Sequence, residues 1–197
     1  DNRSRQVAKV MSALLGQSIV IDNKAGAGGN IGTEAIARAK PDGYTIGMGN
    51  FAPLAVNHAL FKKLNFNPFT DLVPIMLIEK GPLILMVRSD SPYKSVKDIV
   101  AAAKAAPGKV SFGSWGIGSP GHLGGEQIEW LNQVEMTHVA FREVSQLFTS
   151  VGARDIQWSF ASIPSSQGVY KAGKIKSISA AVGDTISAGT VLVELED

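Results

Sequence analysis

The stretch Asn23 to Thr45, NKAGAGGNIGTEAIARAKPDGYT, constrains the fold more than any other part of the chain. The apolar run Ile19-Val20-Ile21 leads into it, and a Gly-rich loop and a helix-compatible segment follow. Pro41-Asp42-Gly43 then turns the chain into a second apolar run, Tyr44 to Met48. Strand, Gly-rich loop, helix, turn and strand together read as a βαβ unit. Its loop delivers unpaired backbone N–H groups to a helix N-terminus, where the helix dipole reinforces them and attracts small anions. Small-anion binding is therefore the first functional expectation.

The pattern recurs downstream. Val110 to Gly113 reads as a short strand that opens into a second Gly-rich loop, Ser114 to Gly121. A helix from His122 to about Leu131 and a strand from Met136 to Phe141 follow it. Before these, Val7, Val10, Met11, Leu14 and Leu15 share one face of a helix over Arg3 to Leu15. Phe51 to Lys63 reads as a short helix, Leu72 to Ile78 and Leu83 to Val87 as apolar runs, and Ser95 to Ala106 as a helix stopped by Pro107-Gly108. Val144 to Val151 is helix-compatible, Ile156 to Ile163 reads as a strand, and a turn and short helix reach Ala172. This α/β alternation predicts parallel sheets flanked by helices, with sites outside the carboxyl ends of the strands. Two such loops facing one another would form a cleft between lobes; two tight turns would give the same spacing.

Composition narrows the function. A net charge of +2, with no basic run longer than Lys62-Lys63, argues against nucleic acid as a partner. The chain has no cysteine, which removes disulfides, thiolate metal sites and cysteine nucleophiles. No window approaches the roughly 18–20 apolar residues of a membrane helix, and the polar opening DNRSRQ is not a signal peptide.

The candidate chemistries are weighed residue by residue. His58, His122 and His138 have no metal-ligand spacing, so no metal is expected; His122, at a helix start beside the second Gly-rich loop, reads first as a cap or an exposed residue, with a hydrogen bond to a ligand as the alternative. Ser114 and Ser119 lack the nucleophile-elbow pattern and read as hydroxyl donors to a carboxylate. Gly26, Gly28 and Gly32 are spaced one residue longer than the dinucleotide fingerprint, and neither Glu34 nor Asp42 falls where the ribose carboxylate belongs. A dinucleotide-dependent enzyme is thus the weakest alternative, and no cofactor is expected. Of the three tryptophans, Trp115 alone lies in a loop where it would wall a cleft; Trp130 reads as core.

Several motifs in order resemble the tripartite tricarboxylate transporter receptor family, the TctC-like or Bug-type periplasmic solute-binding proteins. They are Asn23 to Gly32, Ala39 to Thr45, Pro107 to Ser114, His122-Leu123, His138-Val139 and Ile163-Pro164-Ser165, and together they span Asp1 to about Lys176. The resemblance implies an α/β fold of the two-lobed periplasmic-binding-protein (Venus-flytrap, type II) kind. It implies a non-enzymatic periplasmic receptor that captures a small carboxylate between the lobes, acts as a monomer and hands its ligand to membrane transporter subunits. By the same resemblance the ligand contacts are Asp1, Gly49, Asn50, Phe51, Ser114, Gly118, Ser119, His122, Phe141, Arg142 and the Phe160 to Ser162 segment, Ala161 and Ser162 included.

The chain departs from the family pattern in places. The opening strand and Gly-rich loop are reduced to Asp1, Ala140-Phe141-Arg142-Glu143 replaces Pro-Tyr-Lys-Gly, and the family continues for about another hundred residues. The domain expectation is a partial first lobe over 1–84, a second lobe over 85–176 and a tail over 177–197. That tail, with Val182-Gly183-Asp184-Thr185 and Ala188-Gly189, resembles half of a biotinyl or lipoyl carrier domain without its modified lysine, and is expected to add short strands or stay loose. A truncated or fused product with an incomplete cleft and little binding is the alternative reading.

Overall fold

The computed structural model describes residues 2–78 and 80–178. The tail expected over 177–197 therefore lies outside the described residues from 179 onward, as does Asp1. The chain forms two compact units, one reaching to Pro74 and the other beginning at Ile75. The boundary expected after residue 84 would cut the strand Leu83–Arg88, which belongs wholly to the sheet of the second unit.

In the first unit, helix α1 (Asn2–Leu15) is followed by the Gly-rich loop and helix α2 (Asn30–Ala37). A π-helical turn over Ala52–Val56 then runs into the short helix α3 (Asn57–Leu60). Asn57 is fully buried and donates through Nδ2 to Asn30 Oδ1 at 2.6 Å, which pins α3 to the start of α2. The Thr33 hydroxyl donates to Gly29 O at 3.0 Å, closing the first turn.

The apolar runs Ile19–Ile21 and Tyr44–Met48, read above as strands, are not strands, and neither is the apolar run Leu72–Ile78. An extended run persists as a strand only when a neighbour takes up its N–H and C=O groups, and no ladder forms there among the described residues. Their side chains stay open: Val20 is 88% exposed and Tyr44 94%.

The second unit is a five-stranded sheet covered on both faces. Its elements in order are β1 (Leu83–Arg88), α4 (Val96–Ala105), β2 (Ser111–Ser114), α5 (Pro120–Asn132) and β3 (Thr137–Ala140). Then come α6 (Val144–Ala153), β4 (Trp158–Ser162), α7 (Ile163–Lys171) and β5 (Ile175–Ile178). The strand order is β3-β2-β4-β1-β5. Strands β3, β2 and β4 run parallel, as alternation predicts, but β1 is antiparallel to both β4 and β5. The sheet is therefore mixed. Helices α5, α6 and α7 each join strands that point the same way, and alternation carries no direction for β1, which enters the sheet from outside that series.

Burial of both faces explains why β1 is apolar without alternation. Leu85 and Val87 join Val96, Ile99, Val100, Ala103, Phe112, Ile128 and Trp158 on one side. Ile84 and Met86 join Leu147, Phe148, Val151, Ile156 and Ala161 on the other.

Helix α4 starts with a reciprocal cap. Asp98 N donates to Ser95 Oγ at 3.3 Å, and Asp98 Oδ2 accepts from Ser95 N at 3.0 Å and Lys94 N at 2.8 Å. The Lys94 N–H, with help from Ser95, holds the Asp98 carboxyl below the usual carboxylate range. Removing the cap oxygen with Ser95→Ala is expected to cost about 1 kcal/mol, read as a lower urea midpoint at unchanged m; an unchanged midpoint would show that the cap contributes nothing.

Candidate functional site

Parallel pairing sets Ser114 against Ala140 and Gly113 against Ser159, so the carboxyl ends of β2, β3 and β4 lie along one edge of the sheet. That edge carries every candidate of the second unit: the loop from Ser114 to His122, Phe141-Arg142 and Ala161-Ser162. The Phe141 N–H donates to Ser114 O at 2.8 Å, extending the β2–β3 ladder into the loop. Arg142 is exposed. The Ser162 hydroxyl donates to Ser165 Oγ at 2.8 Å. Ala161 is 1% exposed, its side chain packed in the second core cluster and its backbone paired with Ile84; its methyl is out of a ligand's reach. Trp115 lies over Gly121, with Cζ3 3.2 Å from where a Cβ would sit.

Asn50 Oδ1 accepts from Ala52 N at 3.1 Å and starts the π-helical turn behind Phe51. A Cβ on Gly29 would meet Asn50 Nδ2 at 3.2 Å and the Pro53 ring at 3.3 Å, so Gly29, at φ 96°, seats its own chain. The first Gly-rich loop follows coil rather than a strand, which removes the context a dinucleotide fingerprint requires.

The second loop joins β2 to the start of α5. Gly116 (φ 122°) and Gly118 (φ 81°) take left-handed turns that side chains resist. Ser119, 1% exposed, caps α5 by accepting from His122 N at 3.3 Å, and Pro120 occupies the first helical position, where a missing N–H costs nothing. No acidic residue sits in the first turn of α5 to repel an anion. His122 Nδ1 accepts from Gly118 N at 3.3 Å, occupying the place that the carboxylate of Asp98 holds at the start of α4. That bond requires Nδ1 to be unprotonated, so the neutral ring carries its proton on Nε2, 3.4 Å from Glu126 Oε1.

Ser114 has three partners for one proton and two lone pairs. It lies 3.1 Å from Gly116 O, 3.2 Å from Gly116 N and 2.7 Å from His138 Nε2. All three bonds form together only if the hydroxyl donates to Gly116 O and accepts from Gly116 N–H and from His138 Nε2–H. Counting donors thus assigns the proton of His138 to Nε2. A histidine that donates to a serine is not poised to take its proton. Ser114 is also fully buried. Burial, and secondarily the neighbouring His122, lowers the pKa of His138 to about 4.

Sequence reasoning missed His138 as part of this site. Its ring lies tilted against His122, 4.4 Å between centroids, and against Phe112 at 5.0 Å, and the β2–β3 register brings His138 beside Phe112. One signal was present: Gly124-Gly125 inside α5. A Cβ on Gly125 would lie 2.1 Å from Phe112 Cε2, and one on Gly124 2.7 Å from Phe160 Cε2, so this helix lies directly against the aromatic layer that supports His138.

The model of the tripartite tricarboxylate transporter family receptor matches residues 4–188. A UPF0065 protein of Bordetella pertussis is 32% identical over 185 residues, 94% of this chain and 57% of the relative. The R. palustris protein Rpa4515, solved with adipate, superposes at a TM-score of 0.86 with 30% identity, over 90% of this chain and 60% of that one. MatC from Rhodopseudomonas palustris, solved with bound malate, gives 0.82 and 26%, with the same coverage. The chain therefore spans less than two thirds of the length of these relatives.

Proposed function

Since this chain belongs to the tripartite tricarboxylate transporter receptor family, we propose that it captures a small carboxylate at the carboxyl ends of β2, β3 and β4. The 114–122 loop carries this reading. It combines left-handed glycines, a serine-capped helix N-terminus and a first turn free of acid, all of which favour an anion. No lysine or arginine is among the buried residues described, and the Ser114 and Ser119 hydroxyls are spent within the loop, so the dipole at the start of α5 supplies the recognition, with Arg142 at the rim as the cation. Adipate and malate in the related structures are the ligand chemistry to test first.

The proposal extends to the setting: a periplasmic, monomeric receptor that performs no chemistry and passes its ligand to the membrane subunits of a tripartite transporter. The donor role of His138 toward Ser114 supports binding over acyl transfer. Asp1, Gly49, Asn50 and Phe51 are proposed as further contacts from the first unit.

Isothermal titration against a panel of mono- and dicarboxylates, adipate and malate included, tests the reading. Saturable single-site binding is expected. Flat heats across the panel would replace it with the alternative of a chain whose cleft is incomplete.

A further inference from the structure

We propose that the His122–His138 pair, whose rings lie 4.4 Å apart, is the positioning device of the 114–122 loop, holding it in its anion-receiving shape when neutral and releasing it when protonated. The inference rests on the carboxylate-site reading above. It names the residues that shape the loop, two of whose bonds depend on them: Gly118 N–H to His122 Nδ1, and His138 Nε2–H to Ser114.

The two rings play different parts. His138 anchors the first residue of the loop, and its ring, held against Phe112, backs the ring of His122. His122 holds the middle of the loop through an acceptor nitrogen. A proton on that nitrogen turns the acceptor into a donor facing another donor, and the Gly118 bond is lost.

The charges around the pair are few. On α5, Glu126 faces His122 Nε2 and gives an imidazolium a partner, while the helix N-terminus opposes the cation. Glu129, on the same helix, spends its carboxylate on the Met136 N–H. Strand β2 presents Phe112 and Ser114, and β4 contributes Trp158 behind Phe112; none carries charge. On β3, His138 resists protonation because it is partly buried and lies beside His122.

Amide hydrogen exchange by NMR on the full chain tests this, with rates corrected for intrinsic pH dependence and compared with amides of β1 and β4. Protection of Gly118 is expected to fall at least ~10-fold between about pH 7 and about pH 4 while the strands hold. His122→Asn supplies an acceptor that does not titrate and is expected to flatten that dependence. His138→Phe keeps the packing but removes the donor, and is expected to lower Gly118 protection at about pH 7. Ser114→Ala should do the same, and decides the point if His138→Phe does not fold. Unchanged wild-type protection across the range, or unchanged Gly118 protection in folded His138→Phe or Ser114→Ala, overturns the proposal.

Titration with adipate and malate at about pH 7 separates this proposal from the one it rests on. If the wild-type chain binds and His138→Phe binds equally well, the positioning role falls and the receptor reading stands. If the wild-type chain binds no carboxylate, the receptor reading falls, and the exchange data still decide whether the histidines hold the loop.

Discussion

Replacing Trp158 with alanine is expected to remove about 3–5 kcal/mol of stability, the range for emptying a buried aromatic site. Trp158 is fully buried on β4, stacked on Phe112 at 4.9 Å and edge-on to Phe160 at 5.6 Å. Its neighbours are themselves held between β1 and helices α4 and α5, so they have little room to collapse into the space. Trp158→Phe provides the control. The indole Nε1 is buried without a hydrogen-bond partner among the described residues, and an unmet buried donor is itself unfavourable by about 1–3 kcal/mol. Losing it offsets part of the lost contact area, so phenylalanine should cost far less than alanine. Urea unfolding followed by far-UV circular dichroism reads both variants; equal costs would show that the N–H is satisfied.

Gly125→Ala is the second large effect, and it runs against helix propensity. In an exposed helix interior this change stabilises by about 1 kcal/mol. Here the new methyl would sit 2.1 Å from Phe112 Cε2 and 2.4 Å from Cζ. Phe112 is fully buried between Trp158 and His138 and cannot move without disturbing one of them. Overpacking of this kind costs roughly 1–3 kcal/mol or more, so a net loss of about 2 kcal/mol is expected. Because Phe112 backs His138, Gly118 exchange should quicken in the same variant. A variant as stable as the parent would mean that α5 shifts away from the sheet at little cost.

The elements of the second unit were legible because their signals are local. Ser95 with Asp98 announces α4, Pro107-Gly108 ends it, and the Gly-rich loop after Phe112 hands a strand to a helix. The first unit misled for the opposite reason. Ile19 to Ile21 and Tyr44 to Met48 have strand composition, but a strand is a relation between two segments, and composition reports only one. The orientation of β1 was hidden for the same reason. In the candidate site, Ser114, Gly118, Ser119 and His122 stand out as a Gly-Ser run at a helix start. His138 does not, because its partner is reached through sheet register, and the tautomer that fixes its role emerges only when the bonds of Ser114 are counted.

The place of β1 has a consequence for how the chain is made. It is the first strand of its sheet to leave the ribosome, yet its neighbours β4 and β5 are the last. Until Trp158–Ser162 emerges, the most apolar strand of the unit, with both faces destined for burial, has no edge to pair with. Strands β2 and β3, close in sequence, can pair before that. The sheet thus closes from its rim inward through a long loop whose entropy is paid late, which favours slow completion. Through that interval Leu83–Arg88 remains the segment most open to self-association and most in need of a chaperone.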